Sequence, residues 1–109
     1  MEEKDVVQSL AALAQPVRLQ VFRALVVRGA SGLTPGAMAE GLGIPPNTLS
    51  FHLKELTHAQ LVTPKQEGRY VIYAANFATM NGLLGFLTEN CCGGNPCTPL
   101  CSPASQATA

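Results

Sequence analysis

The chain has 109 residues, 47% of them apolar, with seven basic and seven acidic side chains and zero formal charge. That length fits one domain of common size, and six per cent aromatics with no Trp make its core mostly aliphatic. Zero net charge excludes a surface that is basic all over, the usual source of duplex affinity through counterion release, so any basic patch must be local and balanced by acids elsewhere. The start, MEEKD, is acidic and is followed by no signal-like apolar run, and no stretch reaches membrane-spanning length. The expectation is a cytoplasmic protein with no membrane partner. A lone domain this small buries a limited share of its surface, which favours a homodimer with a shared apolar seam.

Residues 5–14 read as a helix, with Val6, Val7, Leu10 and Leu13 on one stripe and Asp5 near the positive end of the dipole. Pro16 opens a second helix over 17–28. Val17, Val21 and Leu25 line one side and Leu19, Phe22 and Val26 another, the pattern of a buried central helix. Arg18, Arg23 and Arg28 lie between these stripes and read as solvated or paired surface charge. After the loop at 29–32, Thr34 and Pro35 supply an N-cap and a first-position proline for a short helix ending at Leu42, with Ala37, Met38 and Leu42 able to pack inward.

Gly43-Ile44 is then a turn, and Pro46 starts another helix. Leu49, Leu53 and Leu56 form its apolar keel, while Asn47, Ser50, Phe51 and Lys54 recur at helical spacing on the opposite side. Two short helices joined by a tight turn, the second with a hydrogen-bonding outer face, suit a duplex-reading helix-turn-helix. Beyond Gln60 the period changes to two. Strands over 62–66 and 69–74 flank a Glu67-Gly68 loop, with Lys65 and Arg69 beside the tip, placed to reach phosphates or a minor groove. The fold class is therefore mainly α (α+β): a winged helix-turn-helix with a two-stranded wing.

Asn76 caps a last helix over residues 77–90, with Phe77, Met80, Leu83, Leu84 and Leu87 on its stripe and Gly82 and Gly85 permitting close helix approach. From Cys91 the run CCGGNPCTPLCSPASQATA is too rich in Gly, Pro and Ser to continue it. Residues 1–90 are read as one DNA-binding and dimerisation domain, and 91–109 as a cysteine-containing tail. No hydrolytic constellation, phosphate loop or Cys-x-x-Cys is visible, so an enzyme is not expected.

The segments LAQPVRLQVFRAL, NTLSFHLKELTHAQLV and EGRYVIYA, in this order, resemble the ArsR/SmtB family of metal-responsive repressors, over roughly residues 10–73. The resemblance implies a dimeric winged helix joined through its first and last helices, bound to operator DNA when empty and released by a toxic metal. It places Asn47, Thr48, Ser50, Phe51 and His52 at base- and phosphate-contacting positions of a reading helix over 46–59. Phe51 departs from the family, where that position is often basic, and a phenyl there could meet a thymine methyl. His52 falls on the family's His-Leu pair and reads as support for the helix or a phosphate rather than a metal ligand. The thiols that many arsenic-sensing members carry in the first helix of the motif are missing from residues 33–38. The run Glu89-Asn90-Cys91-Cys92-Gly93-Gly94-Asn95-Pro96-Cys97 instead resembles members with a vicinal pair after the last helix.

All four cysteines fall between Cys91 and Cys101. In a reducing compartment such a cluster reads as metal or redox chemistry. Adjacent Cα atoms lie about 3.8 Å apart, too close for an easy Cys91–Cys92 disulfide, yet an ion can bridge the two sulfurs. Gly93-Gly94 lets Cys97 return to the same centre. Thiolates select soft or borderline ions, and three on one side suit pyramidal arsenic(III) or antimony(III). Cys92, Cys97 and Cys101 also have structural-zinc spacing, disulfide formation, such as Cys97 with Cys101, is a weaker rival, and chemistry alone leaves arsenic and zinc open. The resemblance favours arsenic(III) at Cys91, Cys92 and Cys97.

Overall fold

A computed structural model describes residues 1–94, so Cys97 and Cys101 lie outside the described residues. The order is α1 (Glu3–Leu13), α2 (Pro16–Arg28), a 3₁₀ turn (Gly29–Ser31), α3 (Pro35–Leu42), α4 (Pro46–His58), β1 (Val62–Glu67), β2 (Tyr70–Ala75), α5 (Phe77–Thr88) and a short 3₁₀ segment (Cys91–Gly94). It is the winged helix-turn-helix expected.

Local chemistry sets the helix starts. Side-chain oxygens of Gln15, Thr34 and Asn76 accept the N–H of Arg18 (2.9 Å), Ala37 (3.2 Å) and Thr79 (3.3 Å), each satisfying a donor the helix cannot. α1 begins two residues before the expected Asp5, because Asp5 Oδ2 accepts the N–H of Glu2 (3.4 Å) and so closes the turn ahead of it. α5 stops at Thr88, short of the expected residue 90, and Asn90 then takes a left-handed φ of 57°. Gly43, at φ 66°, ends α3 as a left-handed cap and turns the chain into α4.

The core is aliphatic. Val21, Leu25, Met38, Leu49, Leu53, Leu56, Leu61 and Val62 are buried where α2, α3, α4 and the base of the hairpin meet. α2 is not the wholly buried helix its two apolar sides implied. Val21, Phe22 and Leu25 face the core, but Leu19, on the second of those sides, is 44% exposed in the single chain. Within α3, Met38 is buried while Ala37 points outward.

β1 and β2 pair antiparallel, from Val62 opposite Ala75 to Glu67 opposite Tyr70. The loop is therefore Gly68-Arg69, one residue later than expected. Gly68, at φ 61°, holds the first loop position and Arg69 does not share the positive φ, the pattern of hairpins with Gly at that position. Only the base of the hairpin is buried; its tip is exposed. Leu33 exchanges backbone hydrogen bonds with Tyr73 (2.9 Å each way) and ties the approach to α3 onto β2.

Candidate nucleic-acid interface and cysteine turn

On α4, Asn47, Thr48, Ser50, Phe51 and Lys54 are all exposed, opposite the buried Leu49, Leu53 and Leu56. Pro45 and Pro46 fix the entry, and the first turn carries no carboxylate. The positive end of this helix dipole is thus left for an outside anion. Asn47 Oδ1 accepts the N–H of Thr48 (3.1 Å), which keeps that side chain at the helix start. Three of the seven carboxylates, Glu2, Glu3 and Asp5, stand at the start of α1, on a different element, so zero net charge coexists with an outer α4 stripe without acids.

His52 is separated from this set. It is only 7% exposed and turned toward the core. Its Nδ1 faces Arg18 Nη1 at 3.3 Å. A guanidinium can only donate, so Nδ1 accepts and the ring proton sits on Nε2. Burial, and then the Arg18 charge, hold this imidazole below its ordinary pKa of 6.5, against a smaller opposing pull from Glu55. The spacing carried the signal: Leu49, His52, Leu53 and Leu56 complete an i, i+3, i+4, i+7 stripe.

Arg18 is the residue that sequence reasoning missed. Its Nε also donates to the Ala12 carbonyl at 2.7 Å. One half-buried guanidinium therefore joins the end of α1 to α4, rather than being solvated charge. A second link runs from Gln8 Nε2 to the His58 carbonyl (3.4 Å), from α1 to the end of α4. His58 itself is exposed.

In the wing, Arg69 lies in the turn and is exposed. Lys65 Nζ sits 3.4 Å from Glu67 Oε1, with both side chains largely exposed. A pair of this kind contributes little, and the lysine can exchange its partner for a phosphate.

Cys91 and Cys92 follow α5 directly. Cys91 is a free, half-buried thiol; Cys92 is disulfide-bonded, so a thiolate site including it requires its reduced form. Asn90, Cys92 and Gly93 all have φ between 56° and 69°. This left-handed stretch, costly for residues other than Gly, turns the backbone sharply at the vicinal pair. Among the described residues, no three His, Cys, Asp or Glu side chains converge on one point.

Apolar surface is also left open on the first and last helices. α1 packs against α5, and Val7 (60% exposed), Leu10 and Leu87 leave apolar surface open on this pair in the single chain. Among the described residues no single helix is long and apolar enough to cross a membrane.

A family profile described as a helix-turn-helix domain matches residues 13–64. The arsenical resistance operon repressor of Bacillus subtilis (strain 168) is 34% identical over 85 residues, 78% of this chain and 77% of that protein. Among solved structures, an ArsR-like transcriptional regulator from Rhodococcus sp. RHA1 superposes with a TM-score of 0.70 over 77% of this chain and 76% of that one, at 24% identity. A cadmium metal-sensor from Mycobacterium tuberculosis gives 0.57 over 89% and 98%, at 30% identity. These relatives are regulators, not enzymes, and this chain belongs to the ArsR family of winged helix-turn-helix transcriptional regulators.

Proposed function

We propose that this protein is a repressor that occupies operator DNA as a homodimer and is released when trivalent arsenic, or antimony, binds the thiolates of Cys91, Cys92 and Cys97. In this reading Asn47, Thr48, Ser50, Phe51 and Lys54 face the duplex, Lys65 and Arg69 of the wing reach the backbone, and His52 supports the reading helix from behind. The observation that carries it is the placement of the vicinal cysteines in a sharp turn at the very end of α5, the helix packed on α1. The arsenical repressor relative supports the choice of ligand.

A ligand shifts an equilibrium only through different affinities for its two states. Folding the reduced Cys91–Cys97 chain around an ion constrains the end of α5, and with it the α1–α5 seam. Two reading helices must meet half-sites about 34–36 Å apart, so a small change in dimer geometry breaks the fit. Arg18 and Gln8, which join α1 to α4, form the physical route from seam to reading helix. Couplings of about 1–3 kcal/mol are typical.

Cys92→Ser tests the assignment. With a phosphine reductant, which does not compete for arsenic as a thiol would, the variant should bind operator DNA like the wild type and ignore arsenite. Full arsenite-induced release of that variant would refute the assigned ligand set. A second reading, zinc held by the tail, is favoured by the Cys92, Cys97, Cys101 spacing, and a cadmium metal-sensor among the similar structures is consistent with a ligand other than arsenic. Zinc that copurifies tightly and leaves DNA binding intact would support it.

A further inference from the structure

We propose that Phe51 is a specificity-determining residue that reads the 5-methyl group of thymine. This rests on the assignment of α4 as the duplex-reading helix and extends it from a surface to a base preference.

The ring stands 56% exposed on the outer stripe of α4, and its stripe neighbours Asn47, Ser50 and Lys54 are all hydrogen-bonding groups. A lone exposed apolar side chain needs no explanation by itself. Its support does. The Phe51 and His52 rings meet edge to face, with centroids 5.3 Å apart and planes at 67°. His52 is in turn fixed by Arg18 at 3.3 Å. An outward-pointing phenyl is thus braced from the core side by a buried imidazole, so little side-chain freedom remains to be lost on contact.

A braced phenyl presented to a major groove meets donors or acceptors on all four bases, and only thymine adds to its O4 acceptor an apolar group, the 5-methyl. Against any other edge it would desolvate polar atoms without pairing them. Asn47, one helical turn earlier on the same stripe, has the amide that pairs with adenine N6 and N7. The stripe therefore fits A·T steps, with the methyl as the feature that Phe51 recognises.

The test begins with a duplex enriched from a random pool by the wild-type protein in its reduced state. Its thymines are replaced by deoxyuridine, which removes the methyls and keeps every hydrogen-bonding group. Burying one methyl-sized group is equivalent to about fourfold in affinity. With one contact in each half-site, the replacement should weaken wild-type binding about fifteenfold. Phe51→Ala should bind the two duplexes within about twofold of each other, and Phe51→Leu should keep part of the discrimination. Because the ring is exposed, both variants should melt with the wild type, which is checked by circular dichroism.

Two results overturn the proposal: a wild type indifferent to deoxyuridine, or a Phe51→Ala variant that loses affinity equally on both duplexes and so stays as sensitive to deoxyuridine as the wild type. A wild-type protein that enriches no duplex overturns this inference together with the reading of α4. One that enriches a duplex but ignores the methyls leaves that reading standing and removes only Phe51's role.

Discussion

Replacing Arg18 with Met isolates the contribution of one guanidinium to the join between α1 and α4. Met keeps much of the arginine stem's length and apolar contact and removes both hydrogen bonds. The 2.7 Å bond to the Ala12 carbonyl serves an acceptor in the last turn of α1, where the helix supplies no donor. A hydrogen bond from a charged donor contributes about 1.5–3 kcal/mol, and the longer one from the same guanidinium, the 3.3 Å contact with His52 Nδ1, about 1 kcal/mol. Removing a half-buried charge returns part of this, leaving a net loss of about 2–3 kcal/mol. For a domain of this size, at about 4–8 °C per kcal/mol, Tm should fall by about 10–20 °C. Urea unfolding followed by circular dichroism, at matched protein concentration because dimerisation is linked to stability, measures the loss. Arg18→Lys should not rescue it, since one ammonium cannot span both acceptors as a fork does. A loss below about 0.5 kcal/mol for Arg18→Met would refute the reasoning.

His52 makes a second prediction. Its pKa is lowered in the folded state by burial and by Arg18, so the unfolded chain binds the proton more readily. Stability should be level above the ordinary value and decline as pH falls below it toward the lowered folded value; His52→Gln should flatten this part of the urea-midpoint profile, and an unchanged profile would contradict it. Gly32→Ala should destabilise by about 3 kcal/mol or more, because Gly32 has φ 69° and an added Cβ would lie 2.5 Å from the Tyr73 carbonyl oxygen; a wild-type melting curve would show the turn to be more forgiving. Lys54→Ala should reduce the steepness of log K against log salt by about 2 for a dimer, at about 0.9 per phosphate contact, and an unaltered slope would remove Lys54 from the interface.

Periodicity made the helix-turn-helix and wing legible, because Leu49, Leu53 and Leu56 on one side and a change to period two after Gln60 are local signals. The boundaries that moved did so for local reasons of another kind. Asp5 reached back to the Glu2 N–H, and Gly68 took the first rather than the second loop position. His52 was legible by spacing, yet the family resemblance placed it among the duplex-contacting positions; a buried partner was needed to explain its burial. That partner could not be read, since Arg18 meets a backbone carbonyl six residues before it and a ring 34 residues after it. The exposed Leu19 shows the converse limit, as an apolar pattern alone does not say how much of a helix its neighbours cover. Composition identified the cysteine tail as chemistry-bearing, but the left-handed turn at Asn90, Cys92 and Gly93 follows from backbone geometry that no periodicity reports.

The most direct measurement is an anisotropy titration of the reduced protein, bound to a fluorescent duplex from the region upstream of its own gene, with arsenite, antimonite, zinc and cadmium in parallel. The account predicts that arsenite and antimonite displace the protein in step with the loss of titratable thiols. A complex that stays intact after those thiols are consumed by arsenite would contradict it.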